Sequence, residues 1–106
     1  MIISCCYYEH KIRSWSLDGG PYHVYGTEGK GVGEFWSPRL CDVDREQNML
    51  VADCDNHRIQ AVSLQGKGCM FRLDSEIEFP KGAMIFNDKL VVVSYNPNLF
   101  TVFSHD

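Results

Sequence analysis

The sequence predicts an all-β chain that forms part of a β-propeller, and three observations lead there. The stretch Val51-Ala-Asp-Cys-Asp-Asn-His-Arg-Ile-Gln-Ala-Val-Ser63 has one degraded copy 47 residues upstream and another 40 residues downstream. Short apolar runs alternate with polar turn clusters throughout the chain. No segment has the length and period of an amphipathic helix. Repeats of about 40 to 50 residues built from short strands are the mark of propeller blades.

The upstream copy aligns without gaps. Ile3 falls on Leu50, His10 on His57, Lys11 on Arg58, Ile12 on Ile59, Trp15 on Val62 and Ser16 on Ser63. Downstream, Leu90 falls on Leu50, Val91 on Val51, Asn96 on Asn56, Leu99 on Ile59 and Val102 on Val62, with Pro97 in the place of the His. The central repeat reads as four strands: Leu40 to Asp44, Met49 to Ala52, Arg58 to Leu64 and Cys69 to Leu73. Polar clusters at 45–48, 53–56 and 65–68 separate them, as tight antiparallel turns require. Upstream, Ile2 to Cys6, Lys11 to Leu17 and Tyr22 to Tyr25 match strands two to four of such a unit, and Ala83 to Phe86, Lys89 to Ser94 and Leu99 to Phe103 match strands one to three. Between Gly26 and Pro38 the chain is too rich in glycine for regular structure, and the residue before the proline is expected to be extended. The expectation is one domain over 1–106, with antiparallel four-stranded blades. A partial blade and inter-blade loop span 1–38, a complete blade spans 39–74 and a second partial blade spans 75–106. Two open blade faces forfeit apolar burial that exceeds a typical domain's whole net stability, so further blades in cis or self-association are expected.

Composition fits a folded domain. The 106 residues are 44% hydrophobic, 12% aromatic and 23% charged, with a net charge of −4. No apolar run approaches the roughly 18 to 20 residues of a membrane span, and Met1 to Tyr8 lacks the basic start of a signal peptide, so a cytoplasmic chain without membrane association is expected. The five cysteines, at 5, 6, 41, 54 and 69, include no Cys-x-x-Cys pair. They are expected as reduced, buried thiols, with no disulfide framework and no zinc ribbon.

Gly31-Val-Gly-Glu-Phe-Trp-Ser-Pro38, an apolar strand ending Asp42-Val-Asp44, then Leu50-Val-Ala-Asp53 and Asn56-His-Arg-Ile-Gln60 together resemble the NHL repeat, with Arg in the third place of the Asn-His-Leu triplet. The resemblance covers Gly26 to Leu73 in full and most of the chain in degraded form. It implies a propeller of six blades in the complete protein. It also implies kinship with tripartite-motif proteins, whose RING and B-box ubiquitin ligase modules this sequence does not contain. The repeat signature is Asp53, Asn56, His57, Arg58 and Ile59.

The candidate chemistry reads as structural. His10 and His57 recur at one repeat position, which points to shared turn geometry rather than a single catalytic site. Asp53-x-Asp55-x-His57 begins like a calcium loop, but Arg58 and Leu64 stand where a glycine and an acidic ligand belong. Asp53, Asp55 and Asn56 are therefore expected to hold the turn between two strands. The glycines at 26, 29, 31 and 33 lack the Lys-Ser/Thr and the helix of a phosphate loop. Of Phe35 and Trp36, one is expected between blades and the other at the surface. No metal, cofactor or catalytic residue is assigned.

Binding is expected on a rim shared by the segments 26–39, 53–57 and 75–81, with Lys30, Trp36, Arg39, Arg58 and Lys81 as its candidate residues. Arg39 and Lys81 each follow a proline at the start of an innermost strand. The rim segments carry six acids against three bases, and a chain of charge −4 has no counterion-release drive toward nucleic acid. The expected function is a non-enzymatic, protein-binding module, with substrate recognition in a ubiquitin ligase system as the implied role. RNA binding is the alternative. A metal-dependent propeller lyase or hydrolase is the third reading, for which the sequence supplies no clear inward-facing ligand set.

Overall fold

The computed structural model describes residues 2–18, 20, 23–73, 77–87, 89–94 and 99–104. They form ten strands: β1 (Ile2–Cys6), β2 (Lys11–Trp15), β3 (His23–Tyr25), β4 (Pro38–Val43), β5 (Asn48–Asp53), β6 (Arg58–Ser63), β7 (Cys69–Leu73), β8 (Pro80–Phe86), β9 (Lys89–Ser94) and β10 (Leu99–Ser104). The strands pair antiparallel in chain order within three sheets, β1-β2-β3, β4-β5-β6-β7 and β8-β9-β10. The chain is thus all-β, and no α-helix occurs among the described residues. None of the three sheets closes on itself.

The repeat is visible in the registers. Ile2 pairs with Trp15 and Ile3 with Ser14, while 47 residues on Met49 pairs with Val62 and Leu50 with Ala61. Each hairpin turns the same way. A strand ends at Cys6 or Asp53, a 3-10 turn follows at Tyr7–Glu9 or Cys54–Asn56, and a left-handed His10 or His57 caps the turn just before the next strand. Downstream the alignment at 40 residues is corrected to 41. Pro38 pairs with Asp53 and Pro80 with Ser94, so Ser94 stands at the place of Asp53 and Leu90 at that of Met49. Packing agrees, because one residue of slip turns a side chain to the opposite face of its sheet.

Strand β5 shows why the faces matter. All its residues are buried, and its side chains alternate between two cores. Met49 and Val51 point toward the first sheet and pack with Ile12, Tyr25, Phe35 and Val62. Leu50 and Ala52 point toward the third and pack with Ile59, Ala61, Ile77, Leu90 and Val92. The apolar run at 49–52 is a strand covered on both faces, which is why it lacks the polar alternation of a half-exposed one.

Four local expectations change. Strand β4 begins at Pro38 rather than Leu40, and β8 at Pro80 rather than Ala83, because each proline still pairs across its sheet. Bulges at Cys41 and Lys81 break the two ladders and had obscured the pattern. Strand β2 stops at Trp15, before Leu17, and β3 is described from His23, its expected first residue Tyr22 lying outside the described residues. Ser37, expected to be extended before Pro38, instead has φ 58°, and Phe79 before Pro80 has φ 46°. Hydrogen bonds described below hold both.

Candidate functional site

The loop from Gly26 to Ser37 is fastened to the second sheet by the repeat signature. Asp53 is fully buried. Its Oδ1 accepts the Trp36 N–H at 2.7 Å, and its Oδ2 accepts from Arg58 Nε at 2.7 Å, Asn56 Nδ2 at 3.0 Å and Gln60 Nε2 at 3.2 Å. Arg58 donates further to the carbonyls of Lys30, Gly31 and Glu34, each at 2.8 Å. Gln60 receives the Gly33 N–H and donates to the Glu34 carbonyl. A buried charge pair with this many partners is satisfied on both sides, and removing one member strands the other. Gly26 makes the loop possible: its φ is 85°, and a Cβ there would overlap the Phe35 ring that fills the core beneath.

The acids were expected to hold their own turn. Asp53 does bond Asn56 within that turn, but its carboxylate also reaches the preceding loop, where it accepts the Trp36 N–H, because Asp53 ends a fully buried strand packed under that loop. Asp55 likewise accepts the Ser37 hydroxyl at 2.7 Å, and its N–H donates to the Trp36 carbonyl. In the first repeat Cys6, Glu9 and Arg13 occupy the places of Asp53, Asn56 and Gln60. There Arg13 bonds Cys6 Sγ and Glu9 at 2.8 Å each, so the same positions are linked by different chemistry nearer the surface.

Both histidines act as clasps. His10 Nδ1 accepts the Ser37 N–H at 2.9 Å, and His57 Nδ1 accepts the Phe79 N–H at 3.1 Å. The His57 ring also lies edge-on against Phe79, with centroids 4.3 Å apart. Each clasp joins a hairpin to the residue that precedes the proline of the next sheet. Thiols add two more ties, Cys5 Sγ to the Pro38 carbonyl at 3.0 Å and Cys54 Sγ to the Pro80 carbonyl at 3.1 Å.

These ties gather the turn 7–10, the loop 26–37, the turn 53–57 and the segment 77–81 at one end of the molecule; 75 and 76 lie outside the described residues. A concavity of about 710 Å³ opens there between Tyr7 and Tyr8 and the starts of β4 and β8, and Arg39 and Lys81 both line it. The Arg39 guanidinium stands 5.7 Å from the centre of the Tyr7 ring, within cation–π range. Tyr8 is 90% exposed.

The five candidate rim residues therefore divide. Arg39 and Lys81 meet in the concavity. Trp36 is partly exposed and lies beside His10, with ring centroids 5.9 Å apart, and Lys30 is exposed on the loop. Neither lines the concavity. Arg58 is corrected: it is 4% exposed, and its guanidinium is spent inside the loop network. Phe35 is the buried member of the aromatic pair and Trp36 the surface one. Tyr7 and Tyr8 were overlooked, although two adjacent aromatics at a tight hairpin turn cannot both reach a core.

Cys5 and Cys41 also line the concavity. Burial pushes both thiols above their ordinary value, and it pushes Cys54 up to about 11. Thiols held protonated at neutral pH are poor nucleophiles. Among the described residues no three His, Cys, Asp or Glu side chains gather as metal ligands, and no helix is long and apolar enough to cross a membrane. Fold and site define an all-β chain of three serially packed antiparallel sheets with a hollow at one end whose described lining includes Arg39 and Lys81. No family model matches the chain, and no curated protein matches it.

Proposed function

We propose that the chain is a segment of an NHL-like propeller, each sheet a blade or part of one, and that it serves as a non-enzymatic protein-interaction module. Support for the propeller comes from sheets that follow one another in chain order, repeat their registers and pack face to face, with β4 and β8 starting side by side at one end. Support for the module comes from a division of labour. Asp53, Asn56, Arg58 and the two histidines are consumed in joining one sheet to the next, while Arg39, Lys81 and Tyr8 stand exposed at the shared end. That convergence of exposed groups from three sheets is the observation that carries the reading. Substrate recognition within a ubiquitin ligase system is the role the NHL resemblance implies.

Site-directed photo-cross-linking tests it. A benzophenone amino acid placed at Tyr8 should give protein adducts in cells that diminish when Arg39→Glu is added. The same group at the exposed Met70, on the far edge strand β7, should give none that depend on Arg39. Adducts removed by ribonuclease would move the reading to RNA. Equal adducts from both positions would end it.

A further inference from the structure

Resting on the reading of the chain as a protein-interaction module, we propose that the open edge of β1 receives an extended segment of the partner, which pairs antiparallel as the fourth strand of the first sheet. The repeat supplies the template. At the offset of 47 residues, β1-β2-β3 match β5-β6-β7, so the first sheet has no counterpart of β4. In the second sheet Pro38 pairs with Asp53, Arg39 with Ala52, Leu40 with Val51 and Asp42 with Leu50. The corresponding places in β1 are Cys6, Cys5, Ser4 and Ile3. Among the described residues β1 pairs with β2 alone, so its alternate N–H and C=O groups on the other side meet no strand.

This edge is built like an interior strand. Ile2-Ile3-Ser4-Cys5-Cys6 carries no charge, no proline and no break in register. Edge strands ordinarily carry such devices against pairing, and the neighbours do. Strands β4 and β8 each begin with a proline and bulge, β7 bulges and carries Arg72, and β3 has three residues. Strand β10 is an open edge too, but on the side of its sheet away from the hollow. A strand beside β1 would also close the first core. Ile3 and Cys5 border that core and are only partly buried, as are Leu40 and Val43, whereas Leu50 and Ala52, at the places of Ile3 and Cys5 in the second sheet, are buried beside β4. Segment residues opposite Cys5 and Ile3 turn to the same face, so the partner is apolar at these two positions and has no proline between them. The concavity of about 710 Å³ is bounded by Cys5, Tyr7 and Tyr8 on one side and by the starts of β4 and β8 on the other. A single extended chain fits between those walls, with main-chain pairing for affinity and alternate side chains for specificity. A second copy would bring β2 and β3 behind its own β1 and meet β8.

Amide hydrogen exchange on the full chain decides the matter, with the peptide acetyl-Thr-Val-Thr-Val-Lys-amide and its counterpart N-methylated at every residue as probes. The two valines fall opposite Cys5 and Ile3, and N-methylation removes the backbone donors while keeping the side chains. At about ten times the Kd of the first peptide, the edge-facing amides of β1 should exchange about tenfold more slowly. Those of β7 and β10 should not change, and the N-methylated peptide should protect nothing. The proposal falls if the first peptide leaves β1 unprotected at every soluble concentration, if the N-methylated peptide protects β1 equally, or if protection falls on β10 instead. It falls as well if the edge-facing amides of β1 are already protected in the free chain. Sedimentation velocity then separates a second copy on that edge, where protection follows dimer formation, from cover by the chain itself. Protein adducts from Tyr8 that persist while the peptide leaves β1 unprotected would keep the interaction module and remove only the strand-pairing partner.

Discussion

The Nδ1 of His57 accepts the backbone N–H of Phe79 at 3.1 Å, so a residue of the second sheet sets the backbone that leads into the third. His57 is left-handed, with φ 55° and ψ 47°, a conformation that costs an L-residue roughly 1–2 kcal/mol. His10 repeats the arrangement with Ser37. The histidines of the repeat are therefore joints between sheets, and their recurrence needs no catalytic explanation.

The two clasps differ in burial, and that difference predicts unequal costs. Ser37 is 6% exposed whereas Phe79 is 43% exposed, so the Phe79 N–H can turn to water and the Ser37 N–H cannot. Glycine relieves the left-handed strain at either histidine and removes the acceptor together with the ring's contact with Trp36 or Phe79. His10→Gly should cost about 1–3 kcal/mol, the penalty of a buried unpaired donor, and His57→Gly should cost less. Urea denaturation of both variants checks the order, which an equal loss would refute.

Asp53 predicts the largest single effect. Asp53→Ala leaves the Arg58 guanidinium buried without its anion and orphans the Trp36 N–H, and breaking such a pair costs about 3–5 kcal/mol. Arg58→Ala should cost a similar amount. The double variant should cost clearly less than the sum, because each single change strands the other member of the pair and the double change strands neither. Additive losses in a double-mutant cycle would show that the network is not a unit.

Much of this fold was legible because sheet and turn leave local marks. Polar clusters at 45–48, 53–56 and 65–68 bracket the central strands, and the His10 and His57 repeat transmits the hairpin register intact. What was not legible depends on partners distant in sequence. Arg58 reads as a surface cation until the loop carbonyls of Lys30, Gly31 and Glu34 close around it. The downstream copy was set one residue out because Leu90 matches Leu50 in type, whereas pairing and packing place it with Met49. The hollow beside Arg39 and Lys81 could be anticipated from two prolines 42 residues apart. The tyrosines that complete it could not, since they belong to a turn of the other repeat.

Cys54 predicts a loss of stability in alkali. Its pKa is raised by burial from 9.0 to about 11, so between those values the unfolded chain releases a proton that the folded chain keeps. The unfolded state then binds fewer protons, and stability falls as pH rises from about 9 to about 11. The contribution is fully present below pH 9. Urea midpoints at pH 7 and pH 10 should show this decline, and Cys54→Ala should reduce it. A decline of unchanged size in the variant would assign it to other groups.

Ser94 carries the last prediction. The register places it where the second repeat has Asp53, and it is 2% exposed. Its Oγ has no hydrogen-bond partner, alone in this among the buried side-chain groups of the described residues. The same register puts Leu99 opposite it, in the place where Arg58 faces Asp53, so the cation that satisfies the carboxylate in the second repeat has been lost in the third. A buried hydroxyl without a partner costs about 1–3 kcal/mol in desolvation. Ser94→Ala removes that penalty with little change in volume and should leave stability unchanged or raise it by about 1 kcal/mol. Ser94→Asp restores the residue of the repeat but not its partner. It should destabilise the chain by several kcal/mol, as an unpaired buried charge does, and a carboxylate tolerated there in thermal melts would mean that a cation outside the described residues reaches this strand.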